Sequence, residues 1–232
     1  MLYGGSPYGT GYYNAPWGLV LFIPLALLPY QIGRFLFFVL SVAGFAYIAR
    51  RLTDTPLSML LFMTSVPVVF CLDLGNIDWL SMLALVTPAP FALMLAAIKP
   101  QVGAGIAIYW FVVSWRQGGV RLAVRNFLPV SLLLIASFFL YGFWPLSFAT
   151  LNSMRWNFSI FPYTIPVGIF LLWRSIVRQD PRPSMPVGIL ISPYFTIISL
   201  STLLVGLLEH PKLLAVAWLV VWLGVVALAV FK

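Results

Sequence analysis

The chain has 232 residues, of which 62% are hydrophobic and 8% charged, with a formal net charge of +8. A soluble domain carries charge on about a quarter of its residues to coat its surface, so this composition excludes one and makes lipid the solvent for most of the chain. The excess Lys and Arg lie in short clusters between apolar runs, which excludes a nucleic-acid partner and is the pattern that orients membrane helices.

Strands of a membrane barrel alternate apolar and polar residues, and an open sheet leaves backbone groups unsatisfied in lipid. The runs here are solidly apolar. The expected fold is therefore all-α: a polytopic transmembrane helical bundle of about eight full or partial spans plus a juxtamembrane helix. It forms a single transmembrane domain over 1–232, with an outer loop and juxtamembrane helix over 1–31 and the bundle over 32–232.

Residues 1–15 read as a polar, aromatic, glycine-rich loop that resembles the middle of a chain more than its start. Residues 16–29 are apolar, but at ~1.5 Å per residue they reach ~21 Å against a ~30 Å hydrocarbon core. Pro24 and Pro29 weaken this helix further, so it is expected to be juxtamembrane or re-entrant. Residues 32–52 form a full span ending in Arg50 and Arg51, and 57–72 form the next. Gly75 to Trp79 breaks the pattern before a short helical pair, 79–87 and 89–98, that turns at Thr87 to Pro90. Lys99 to Gly103 is a second break, and 103–115 runs on to Arg116. Arg116 to Arg125 is a basic loop, 127–144 a span, and 145–164 an aromatic and polar loop bearing Arg155, Trp156 and Asn157. Residues 165–177 span next, Arg174 to Pro183 is a second basic loop, and 186–208 and 213–231 are spans joined by Glu209 to Lys212.

Charge tests this order. With Arg50 and Arg51 in the cytoplasm and sides alternating, Arg116, Arg121, Arg125, Arg174, Arg178, Arg182 and Lys232 join them. Arg34, Lys99, Arg155 and Lys212 fall outside, so every multi-arginine cluster is cytoplasmic. Trp17, Trp79, Trp144 and Trp156 then lie near the outer interface, which indoles favour.

Polar residues gather on the outer side, among them Tyr8, Tyr12, Tyr13, Asn14, Asp73, Asn76, Asp78, Lys99, Gln101, Arg155, Asn157, Glu209 and His210. A charge at membrane depth costs ~2.5–3.5 kcal/mol or more unless paired or hydrated. Lys99 is therefore expected to meet Asp73 or Asp78 in a shared aqueous cavity. Plainer roles stay open. Asp78 suits an N-cap for the helix at Trp79, and Lys99 suits a loop lysine that snorkels. Arg155 with Trp156 suits an interface anchor, His210 beside Pro211 a turn, and Cys71 a small buried apolar residue. A single cysteine excludes an intrachain disulfide. One histidine and few outer carboxylates indicate no divalent metal. The first residues lack the basic region and cleavage pattern of a signal peptide.

Short motifs follow one another in a telling order: Tyr12-Tyr-Asn-Ala-Pro-Trp17, Leu27-Leu-Pro29, Ala49-Arg-Arg-Leu52, Gly75-Asn-Ile-Asp78 and Ala96-Ala-Ile-Lys-Pro-Gln101. Over roughly residues 3–143 the chain resembles the GT-C superfamily of integral membrane glycosyltransferases, in particular the polyprenyl-phosphate-mannose-dependent mannosyltransferases. The resemblance implies a multi-pass protein of a prokaryotic plasma membrane, active on the extracytoplasmic side and at work on the cell envelope. It implies transfer of a mannosyl or other hexosyl group from a polyprenyl-phosphate-sugar to an acceptor hydroxyl, with inversion. That donor is a substrate, and no cofactor is implied. The partners are membrane lipids and the lipid-linked sugar. On this reading Asn14, Trp17, Asp73, Asn76, Lys99, Gln101 and Arg155 bind substrate, with Lys99 and Arg155 facing the lipid phosphate. The family's aspartate base lies early in the first outer loop, at a point that falls upstream of Met1. The expectation is therefore an N-terminally truncated chain that lacks that base; the alternatives are a protein that has lost its base and one in which Asp78 serves as the catalytic carboxylate. Two other classes compete: a small-molecule or lipid transporter built around Lys99, and a non-catalytic membrane subunit. A transporter calls for discontinuous helices in both halves, and one such region is evident in the sequence.

Overall fold

A computed structural model describes residues 14–146 and 157–230. Among them every regular element is helical. Two helices are long and apolar enough to cross a membrane, Tyr30–Leu52 and Pro100–Tyr141, and a bent pair counts as a third if taken as one span.

The first apolar run, expected to be one short helix, divides into two single turns, α1 (Trp17–Val20) and α2 (Ile23–Ala26). Pro24 sits in the first turn of α2, where its missing N–H is no loss. Pro29 is extended and releases the chain into α3 (Tyr30–Leu52). At ~1.5 Å per residue α3 is ~34 Å long, enough for the expected full span. It ends at extended Thr53, beside Arg50 and Arg51.

The expected span 57–72 is two helices, α4 (Pro56–Met63) and α5 (Val66–Asp73), bent by 52°. Pro67 is the cause: a proline ring clashes with the carbonyl four residues earlier and removes a donor. The freed groups find other partners. Thr64 Oγ1 donates to Leu60 O, Ser65 Oγ to Phe62 O, and Trp222 Nε1 to Thr64 O.

Next come α6 (Asp78–Met82), a 3-10 turn over Leu83–Leu85, and α7 (Ala89–Ala96). This is the expected short pair. Both members are far shorter than a span, and the pair leaves and returns to one end of the molecule. Then α8 (Pro100–Tyr141) folds back on itself at Gly118 and Gly119, where Gly119 adopts φ of 60°. Phe111 packs on Phe127 with ring centroids 5.8 Å apart, and Asn126 Nδ2 donates to Ser114 Oγ. In a straight helix residues 111 and 127 would lie ~24 Å apart, so α8 is an antiparallel hairpin. Its two arms correspond to the expected spans 103–115 and 127–144; the basic loop between them is helical except at the glycine turn.

The helix α9 (Ile165–Arg178) matches the expected short span. The expected span 186–208 is absent, and the chain there forms a 3-10 turn over Arg182–Ser184, α10 (Val187–Leu190), a second 3-10 turn over Ile197–Leu200, and α11 (Ser201–Val205). The stretch is a folded hairpin that starts and finishes at the same end, because Arg182 pairs with Glu209. Its tip rests on the chain before α9: Thr164 Oγ1 donates to Leu190 O and Ser159 Oγ to Ser192 O. Close approach holds it in place. A methyl group added at Gly188 would collide with Val102 O, and one at Gly105 with Ser184 O. This corrects the expected sidedness. Glu209, and Lys212 three residues on, lie at the same end as Arg182, not opposite it. Finally α12 (Pro211–Val230) runs alongside α4, with Trp218 Nε1 donating to Thr64 Oγ1.

The core joins both halves of the chain through Phe45, Phe62, Met82, Ile106, Met185 and Leu208. Trp79 and Trp144, expected near an interface, are buried within protein. Cys71 is buried as expected. Residues His210 and Glu209 occupy a turn.

Candidate functional site

The end of α5 builds the site. Gly75, with φ of 63°, follows the helix, and Asn76 N donates to Cys71 O at 2.8 Å while Gly75 N donates to Leu72 O. These are the two bonds of a Schellman C-cap, which needs a residue tolerant of positive φ. The cap turns the chain so that the Asn76 side chain faces inward. Its Oδ1 accepts from Asp78 N at 3.2 Å and from Lys99 Nζ at 3.3 Å.

Lys99 enters from the other side, as the residue that precedes the first turn of α8. Its ammonium pairs with Asp78 Oδ1. Asp78 Oδ2 accepts from Ser199 Oγ at 2.9 Å. Asp78 is 0% exposed and Lys99 7%. A buried pair is tolerable only with further hydrogen bonds around it; Ser199 supplies one to Asp78 and Asn76 one to Lys99. The expected meeting of Lys99 with a carboxylate is thus with Asp78. The N-cap alternative for Asp78 does not hold, because Ile77 precedes α6 and the Asp78 carboxylate faces Lys99 and Ser199. Asn76 takes the capping part.

Residues 15 and 17 are tied to the chain just ahead of Lys99. Ala15 N donates to Ile98 O at 2.7 Å, and Trp17 Nε1 donates to Met94 O at 3.1 Å. Trp17 also sets its ring edge-on to Trp144 at 6.3 Å. Asn14 and Asn76 line a cavity of about 340 Å³ together with Phe22, Phe37, Gly75 and Ile77. Asp73 is exposed at the rim and lines a neighbouring groove with Arg34. Gln101 stands apart from the Lys99 cluster: its Oε1 is buried and accepts no hydrogen bond from a described residue. Arg155 lies outside the described residues, as do Tyr8, Tyr12, Tyr13 and Trp156.

Ser199 joins the site from within an apolar run. The signal was available: Ser192, Pro193, Thr196, Ser199, Ser201 and Thr202 crowd the middle of an apolar run, where a lipid-facing span would leave such groups unserved. Among the described residues no three His, Cys, Asp or Glu side chains gather in a group that could hold a metal ion. No protein-family model matches this chain, and neither curated proteins nor solved structures hold a match to it.

Proposed function

We propose that this chain is a GT-C-like membrane glycosyltransferase that recognises a polyprenyl-phosphate-sugar beside Asn14, Asn76 and Lys99. One observation carries the reading. The motifs around Asn14 to Trp17, Gly75 to Asp78 and Lys99, distant in sequence, are tied together by Ala15–Ile98, Asn76–Lys99 and Lys99–Asp78 contacts. A resemblance resting on accidental short matches gives no reason for them to converge.

The chemistry suits the residues. An ammonium has three donors; Asp78 and Asn76 take two at Lys99, and the third serves a phosphate oxygen of the leaving lipid. Amide side chains from Asn14 and Asn76 line the cavity for sugar or phosphate oxygens. The exposed apolar face of Val20, Leu21, Ile23 and Leu27 supplies a bed for the prenyl chain. Asp78 has both oxygens engaged, which suits a residue that positions Lys99 better than a proton acceptor. Of the described carboxylates at this end only Asp73 is exposed, and it borders the site.

In this reading α3, α4 with α5, each arm of α8, α9 and α12 cross the membrane, while α6–α7 and the 183–209 hairpin re-enter. Arg50, Arg51, Arg116, Arg121, Arg125, Arg178, Arg182 and Lys212 then share the cytoplasmic side of a prokaryotic plasma membrane, and the site faces out. The test is donor binding by the full chain in nanodiscs. Asn76→Ala is expected to weaken binding of a polyprenyl-phosphate-mannose about tenfold or more, the loss of one hydrogen bond to a charged group. Unchanged binding, or none in the parent chain, overturns the proposal.

A transporter is the second reading, and one observation favours it. Two interrupted segments, α6–α7 and 183–209, meet at Asp78 and Ser199, as discontinuous helices do around a transport site. Substrate flux in proteoliposomes without sugar transfer would select it.

A further inference from the structure

A second cavity, of about 710 Å³, opens at the other end of the molecule, within the ~300–1,000 Å³ of ordinary ligand sites. Two helices face each other across it. From α9 come Leu171, Arg174 and Arg178, and from α12 come Leu213, Ala217, Val220 and Val221. Spacings of three and four residues place each set on one helix face. The hairpin supplies the floor with Leu200, Leu203 and Leu204.

Its charge is confined to one end. Arg182 is engaged by Asp180 and Glu209, which uses both acids of the rim. Arg174 and Arg178 have no carboxylate partner among the described residues, and Arg174 Nε is buried with no acceptor there. A buried donor left unpaired costs free energy that an acceptor would recover. Leu213 and Val220 are more than half exposed, so the groove also opens sideways onto the apolar exterior.

We infer that this groove holds an anionic phospholipid, with its phosphate on Arg174 and Arg178 and an acyl chain between α9 and α12. Charge complementarity selects the headgroup, since basic pockets between membrane helices bind anionic lipid. The sideways opening selects a lipid over a free anion. The site lies at the opposite end from the sugar-donor site proposed above and does not depend on it.

Native mass spectrometry of the full chain, exchanged into detergent with phosphatidylglycerol and phosphatidylcholine, tests the inference. One phosphatidylglycerol is expected to be retained in preference to phosphatidylcholine. Arg174→Gln with Arg178→Gln should lower that retention about twenty-fivefold, about fivefold for each arginine. Leu203→Trp, which fills the floor and leaves the charges, should lower it as well. Arg50→Gln, outside the groove, should leave it unchanged. Equal retention of the two lipids by the parent chain overturns the inference, whatever the variants do. So does full retention in the folded double variant. Displacement of the lipid by millimolar inorganic phosphate would show a free-anion site and overturn it too.

Discussion

The two ends of this molecule carry the same kinds of ionic groups in different solvents. At the site end Asp78 and Lys99 are buried together. At the other end Arg182 reaches Asp180 and Glu209 from a quarter-exposed position, and Arg50 meets Asp54 in the open. Hydrogen bonding to Asp180, reinforced by Glu209, raises the Arg182 pKa above its ordinary value. That contribution is present below the ordinary pKa and is lost only as pH rises through the raised one, so it is constant at every working pH. What differs is the cost of separation. An exposed ion freed from its partner is taken up by water; Asp78 freed from Lys99 has only protein around it. The buried pair thus specifies how α6, α8 and the 183–209 hairpin come together, and the exposed pairs adjust stability slightly.

Breaking the buried pair is the largest expected effect. Lys99→Ala should destabilise the chain by about 3–5 kcal/mol by leaving a buried carboxylate uncompensated, read as thermal unfolding in detergent. The double change Lys99→Met with Asp78→Leu should recover most of that loss. If the double variant is no better than Lys99→Ala, the pair is not acting through uncompensated charge. Ser199→Ala is next, at about 1.5–3 kcal/mol for one hydrogen bond to a charged acceptor. It should weaken the docking of 183–209 first, seen as faster hydrogen exchange over that stretch. Arg182→Ala should cost about 1 kcal/mol or less, and the difference should shrink in high salt. Arg50→Ala should change nothing measurable. A salt-sensitive Lys99→Ala effect, or a salt-insensitive Arg182→Ala effect, would erase the contrast between the two ends.

The helical class was legible from solid apolar runs, and the meeting of Lys99 with a carboxylate was legible from the cost of an unpaired charge at depth. The turns at Gly75 and Thr87 to Pro90 were legible from their residue types. The bend at Thr64 was not, because hydropathy runs unbroken through Pro67 and the compensating donors, Trp218 and Trp222, lie far along the chain. The 183–209 hairpin was lost to the same averaging. Its apolar residues pack on protein rather than lipid, and hydropathy cannot tell those surroundings apart. Ser199 became a site residue only through that misjudged fold.

The bonds around Asp78 also set an order in time. Lys99 follows Asp78 by 21 positions and Ser199 by 121. At about 5–20 residues per second, the roughly 100 residues between the two partners take about 5–20 s to synthesise. The nascent chain can thus join lysine to aspartate while the second carboxylate oxygen still awaits its serine. Assembly of this core is then a two-stage event: an early clasp made by the first half, sealed when the second half arrives.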